Sequence, residues 1–262
     1  MRCTRCNNEA VFFQSYSGRH LCSRHLALDI EARAKRSIRS HHWMSPHDHI
    51  AVVVSGDLKS AALSCFLQKL VADRRDIHLS VLPACGEETG DGALRYAALK
   101  IAELLGIPCI EMPLPGRLGE PGCSGVTKIA LAVSLDDVAQ GVLGQFLFGS
   151  AERLFSPPPP DRDRIPVICP FITIPSDELD LYGKYWDTGI SLLSGTSFAD
   201  TRRQETENLL GEFSRRHPAT KYALLHLSEE LSNGNVAGIA AAAGRGSPGS
   251  QQLSGGRFGN GS

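Results

Sequence analysis

The sequence predicts an α/β fold, a parallel sheet covered by helices on both faces, with a small separate module in front. Three observations predict it. An apolar run at residues 50–54 ends in Ser55-Gly56, and an apolar segment of helical period follows from Ser60. That reads as a buried strand, a tight turn and a helix. Strand-like and helix-like segments then alternate, as βαβ crossovers require. Ahead of them, Cys3-x2-Cys6 and Cys22-x2-His25 form two pairs of soft ligands in a stretch too short to build its own core.

The chain has 262 residues, of which 42% are hydrophobic, enough for one sizeable core plus a small appended unit. Its net charge of −1 argues against a globally basic nucleic-acid binder, but the charge is unevenly spread. Residues 1–45 carry eight Lys/Arg against three Asp/Glu, leaving −6 for the remainder. A basic front on a slightly acidic body suits local contact with RNA or another polyanion. No apolar signal segment opens the chain, and no apolar run reaches the ~18 residues of a membrane span. Eight cysteines without such a signal point to a reducing compartment, where metal binding outranks disulfides. A soluble cytoplasmic protein is expected.

Taken in order, residues 1–27 form the expected metal knuckle. Four ligands at two x2 spacings supply the tetrahedron that zinc requires, and the ion would be the main source of stability there. His20 competes with His25 as fourth ligand, but its spacing to Cys22 is wrong for a knuckle. Residues 28–47 form a basic linker helix: Leu26, Ile30, Ala34 and Ile38 line one face, while Arg33, Lys35, Arg36 and Arg39 crowd the other. His41, His42, His47 and His49 read as solvated linker residues. Residues 48–231 form the main α/β unit. Strands are expected at 50–54, 77–82, 108–112, 128–133 and 165–169, and helices from Ser60, at 91–105, from an N-cap at Ser134, and at 176–186, 198–215 and 219–231. Asp136 and Asp137 fall in the first turn after Ser134, where acids commonly oppose the helix dipole. Residues 156–161, SPPPPD, suit no regular structure. Residues 232–262 are Gly/Ala/Ser-rich without an acid and are expected to be disordered. Ligands of such sheets lie beyond the carboxyl ends of the strands. Ser55, Gly56, Cys85 and Ser134 all fall there, and the open amides after Ser55-Gly56 make a natural phosphate seat. Cys65, Cys109 and Cys169 read as core thiols.

This order of features resembles the PP-loop tRNA thiolation family: the tRNA 2-thiouridine and 2-thiocytidine synthetases, related to the eukaryotic cytosolic tRNA thiouridylase. The resemblance spans roughly residues 1–231. It is carried by the knuckle, the strand-SG-turn-helix, and four later pieces: LKIAELLGIPCIEMPL (99–114), SLDDVAQGVLGQFLFG (134–149), PFITIPSDELDLYGKYW (170–186) and RRHPATKYALL (215–225). It implies a fold of the adenine nucleotide alpha hydrolase type. It also implies tRNA as partner, with ATP used to adenylate a base carbonyl before sulfur replaces the oxygen.

Against the family's S-G-G-x-D-S loop this chain reads Ser55, Gly56, Asp57, Leu58, Lys59, Ser60. Asp57 puts a negative charge where backbone approaches the pyrophosphate; two like charges ~4 Å apart repel by about 4 kcal/mol at an effective dielectric of 20. Weakened ATP and Mg²⁺ binding at Ser55, Gly56, Asp57, Lys59, Ser60, Asp136 and Asp137 is the expectation. Of the three family thiolates that hold an iron–sulfur cluster or relay sulfur, only Cys123 stands near its place, so no cluster is expected. The sequence therefore points to a divergent component of tRNA modification with a degenerate catalytic site, paired with a related subunit or a sulfur-carrier protein. The alternatives are an active ATP-dependent tRNA sulfurtransferase using the single thiol of Cys123 (or Cys85), and a zinc-dependent interaction module without a nucleotide role.

Overall fold

In a computed structural model, residues 1–84, 92–110, 125–149, 165–186 and 201–231 are described. The expectations for Cys85, Cys123, the proline run and residues 232–262 fall outside them. The chain opens with an antiparallel hairpin, β1 (Phe12–Gln14) and β2 (Arg19–Leu21), paired Phe12 to Leu21 and turning at Gly18 with φ +67°. Helix α1 (Ser23–Ser40) starts directly after Cys22, earlier than its apolar stripe suggested. It buries Leu26, Ile30, Ala34 and Ile38 as that stripe required.

The main sheet is built from β3 (His49–Val54), β4 (His78–Pro83), β5 (Lys128–Ala130) and β6 (Val167–Ile168), all parallel, in spatial order β4-β3-β5-β6. Of the strand expected at 108–112, residues 108–110 are described, and there Cys109 makes a single parallel bridge to Val81 on the outer side of β4. Numbered along the sheet-forming chain, the order is 3-2-1-4-5, a doubly wound arrangement whose direction reverses between β3 and β5. His49 is part of β3, its Nε2 3.0 Å from Ser80 Oγ, and is not a solvated linker residue.

Between and after the strands come α2 (Leu58–Val71), α3 (Gly92–Leu105), α4 (Leu135–Leu147), α5 (Ser176–Tyr185), α6 (Thr201–Arg216) and α7 (Thr220–Leu231). One face of the sheet, carried by Ile50 and Val52, joins a core with Leu63, Phe66 and Leu67 of α2 and with Phe171 and Tyr182. Val54 and Val81 meet Ala97, Ala98 and Ile101 of α3. On the opposite face Ala51, Val53, Leu82 and Ile129 are buried as well, packed with Val126. A strand buried on both sides explains why residues 50–54 are uniformly apolar rather than alternating. None of the described helices is long and apolar enough to cross a membrane.

Candidate functional site

Two sites emerge. At the first, the hairpin and the first turn of α1 bring four ligand atoms together. Cys3 Sγ, Cys6 Sγ, Cys22 Sγ and one ring nitrogen of His25 all lie within 4.8 Å of one another. Cys6 and Cys22 sulfurs are 3.7 Å apart, and His25 Nδ1 is 3.5 Å from Cys3 Sγ and 3.4 Å from Cys22 Sγ. Zinc bonds of ~2.3 Å to sulfur and ~2.0 Å to nitrogen set tetrahedral edges of ~3.8 and ~3.5 Å, so the donor set fits that ion. Burial opposes ionisation of Cys3, but backbone N–H groups aimed at its sulfur bring its pKa down to about 6. His20 instead stacks on Phe13, ring centroids 4.6 Å apart.

This knuckle is anchored to the main unit through Glu178 of α5, which is fully buried. Its carboxylate accepts from Tyr16 Oη at 2.6 Å and Gln14 Nε2 at 3.3 Å, and pairs with the Arg33 guanidinium. Burial raises the Glu178 pKa, although Arg33 and Tyr16 pull against it. Asp29 holds the other side of Arg33 at 3.2 Å. No linear pattern marks this network, because Glu178 lies more than 140 residues from Gln14, Tyr16 and Arg33.

The second site lies at the switch point, between the carboxyl ends of β3 and β5. After β3 the chain turns at Gly56 with φ +76°, a conformation that favours glycine, and enters α2 at Leu58. Asp57 is the N-cap: its Oδ1 accepts the Ser60 backbone N–H at 2.9 Å and the Ser55 hydroxyl at 3.0 Å. Ser60 Oγ donates to the Asp57 carbonyl and accepts from the Ser55 N–H. The helix-start amide that an anion would use is therefore taken by a carboxylate of the chain itself. Asp57 also explains why α2 starts two residues before the apolar period at Ser60.

Facing it, Ser134 caps α4 in a reciprocal box with Asp137. Lys59 Nζ bonds Asp137 Oδ2 at 2.9 Å, spanning the crevice, and Arg203 of α6 reaches Asp137 Oδ1 at 3.2 Å. Burial works against both charges of the Lys59–Asp137 pair. Their mutual attraction outweighs it, so the lysine pKa is raised and the aspartate's lowered. Asp136 is held by Lys221 of α7 and accepts the Ser176 N–H at 2.9 Å. The remaining cavity, about 380 Å³, is lined among others by Gln140, Asp180 and Leu210. Burial raises the Asp180 pKa, with Lys59 and Lys184 opposing.

The structure thus brings together Ser55, Gly56, Asp57, Lys59, Ser60, Asp136 and Asp137, while Cys123 lies outside the described residues. Sequence reasoning missed Arg203, Ser176 and Lys221; for Lys221 the only signal was its place in the RRHPATKYALL element. The thiols of Cys65 and Cys169 are pushed up by burial to about 11 and about 12, as core residues should be.

A doubly wound parallel sheet with a strand-SG-turn-helix at its switch point is a PP-loop type of α/β fold, here preceded by a Cys3His cluster. Comparison with known proteins bears this out. Residues 2–27 match the family model described as "2-thiouridine synthetase TtuA, N-terminal LIM domain". The chain is 23% identical over 278 residues to the tRNA 2-thiolation protein NcsA of Haloferax volcanii, covering 88% of this chain and 87% of that protein. It is also similar to the solved "U34-tRNA thiolase NcsA from Methanococcus maripaludis with its [4Fe-4S] cluster", with a TM-score of 0.74 at 18% identity over 89% and 87% of the two chains. The likeness to the tRNA thiolation family, and the PP-loop fold, therefore stand.

One expectation is corrected. The sequence argued against an iron–sulfur cluster by counting a single thiolate at Cys123, yet the structurally similar thiolase is described with its [4Fe-4S] cluster. The count was too narrow, since the chain has eight cysteines and both Cys85 and Cys123 lie outside the described residues.

Proposed function

We propose that this chain is a tRNA-thiolation-type scaffold whose nucleotide seat is filled by its own side chains, serving tRNA modification as a non-catalytic or reduced-activity component. The supporting observation is the Asp57 carboxylate on the Ser60 amide at 2.9 Å. A triphosphate entering this turn must displace that carboxylate and then lie beside it. About 4 kcal/mol of repulsion at an effective dielectric of 20 is roughly a thousandfold in affinity. The acids that in an active relative would face Mg²⁺ are here neutralised by Lys59, Arg203 and Lys221. On this reading the chain works beside a related subunit or a sulfur-carrier protein. Cys3, Cys6, Cys22 and His25 hold one structural zinc ion, which fixes the hairpin to α1.

Calorimetric titration with Mg·ATP tests the proposal. The wild-type chain is expected to bind weakly or not at all, and Asp57→Gly to bind at least a hundredfold more tightly. Glycine is nearly as good an N-cap, so the variant keeps its helix. Release of AMP coupled to tRNA thiolation by the purified wild-type chain would refute the non-catalytic reading.

A further inference from the structure

We propose an RNA-holding site at the opposite end of α2 from the switch point. It is a cavity that takes one unstacked nucleotide of an RNA strand, the base against an apolar floor and the neighbouring phosphates on Lys35 and Arg39. It rests on the reading of the chain as a component of tRNA modification. The cavity, about 580 Å³, lies between the C-terminal ends of α1 and α2, a size within the ~300–1,000 Å³ of small-molecule sites. Its floor is Ile38 and Val71, each 6% exposed, with half-buried Met44 and Leu70. Its rim carries the cations Lys35, Arg39 and Arg74 and, at the exposed end, the imidazole ring of His42.

The charge pairing around this rim decides what it fits. Arg33 is neutralised by Asp29 and Glu178 and Lys69 by Glu31, while Arg24 and Arg36 of α1 lie outside the cavity lining. Arg74 is paired with Asp76. Lys35 and Arg39 have no carboxylate within 4 Å among the described residues; the Arg39 Nε donates only to the Lys35 carbonyl, at 3.2 Å. They stand one helical turn apart, so their side chains project side by side over the cavity.

Unpaired cations above an apolar floor suit a polyanion that also carries a flat apolar face. Single-stranded RNA has both, and guanidinium and imidazole planes such as those of Arg39 and His42 stack on bases. An acidic peptide satisfies the charge but leaves the floor without a planar occupant.

The place of the cavity makes this a site separate from the nucleotide seat. Helix α2 runs from Asp57 to the cavity wall over 14 residues, or about 21 Å at ~1.5 Å per residue. That distance corresponds to about six stacked nucleotides at ~3.4 Å each. An RNA presenting a base at the switch point therefore reaches this end of α2 with a different part of its strand.

Fluorescence anisotropy on the full chain tests the proposal, with a labelled 12-nucleotide single-stranded RNA and an unmodified tRNA transcript at 50 and 200 mM salt. The double variant Lys35→Glu/Arg39→Glu is expected to lose at least tenfold in affinity for both. Its log K against log[salt] slope should flatten by about 1.4, for two phosphates at ~0.7 each. Met44→Ser should weaken binding three- to tenfold with the slope unchanged. Arg36→Glu, exposed on the same helix but outside the cavity, should change affinity less than threefold. Thermal melts of each variant control for folding. Equal binding by the double variant, with wild-type tRNA binding intact, overturns the cavity and leaves the tRNA reading standing. Absence of RNA binding by the wild-type chain overturns both. Preference for a polyglutamate peptide over RNA overturns the RNA assignment.

Discussion

Asp137 receives bonds from three directions: the Ser134 backbone and hydroxyl, Lys59, and Arg203. Burial disfavours its charge, yet Lys59 and the Ser134 donors hold its pKa below the ordinary carboxylate value. A lowered folded-state pKa contributes stability that is complete above the unfolded value of about 3.9 and is lost as pH falls through the folded one. Asp137→Ala is therefore expected to cost about 2–4 kcal/mol at pH 7 in urea denaturation, by loss of the capping box and an unpaired Lys59. The deficit should narrow steadily below pH 4; a constant deficit would show that the charge is not what matters. Asp57 and Lys59 were both legible in the sequence as departures at a phosphate loop. Asp57 as N-cap is a local pattern that the phosphate-loop reading passed over, whereas the Lys59–Asp137 pair spans 78 residues and follows from tertiary placement, which a linear pattern does not carry.

At the scale of elements, α5 rests on the start of α2 through Gly183. A methyl group there would lie 2.9 Å from Leu58 Cβ and 3.0 Å from its carbonyl oxygen. Gly183→Ala is expected to destabilise by about 1–3 kcal/mol through this overpacking, despite the better helix propensity of alanine. It should also alter the Asp57 turn, visible as shifts of the Ser55 to Ser60 amides in NMR spectra. Unchanged stability would mean the two helices separate without cost.

The helix after Ser134 was legible because its cap and apolar period agree, and the one from Ser176 from its period alone, since its N-cap Pro175 makes no side-chain bond. Strand ends were less so. Residues 132–133 continue the apolar run of β5 but leave the sheet to reach the cap of α4, so hydrophobicity alone overstated the strand. The helix α1 began earlier than its apolar stripe because Cys22 sets its start, placing His25 in the first turn.

Across the whole molecule, the knuckle and the switch point are joined by short steps. Tyr16 and Gln14 of the hairpin bond Glu178, and two residues before it Ser176 bonds Asp136 and Ser134. Removing the metal with a chelator is expected to abolish hydrogen-exchange protection over the hairpin, residues 12–21, since an unfilled Cys3His cluster has little core of its own, while α1 keeps its apolar face in the main core. Protection of β3 and β4 should persist, while that of the α5 start should fall because Glu178 loses its partners. Retained protection in the hairpin would show that the fold does not depend on the ion. The two x2 ligand pairs made the knuckle readable from spacing alone, as the ligands are local. The Glu178 linkage was unreadable for the opposite reason.

The central place of β3 has a consequence for how the chain is made. Its partner β5 pairs Ile50 with Lys128, so one edge of the most apolar strand stays open until 78 further residues exist. At about 5–20 residues per second of synthesis that interval is roughly 4–16 s. The four metal ligands, in contrast, are complete by residue 25. Nascent chains arrested before β5 should therefore retain zinc at the N-terminus while β3 and α2 remain open to protease and to chaperones. The knuckle is then a folded handle on a chain whose central strand still waits for its second neighbour.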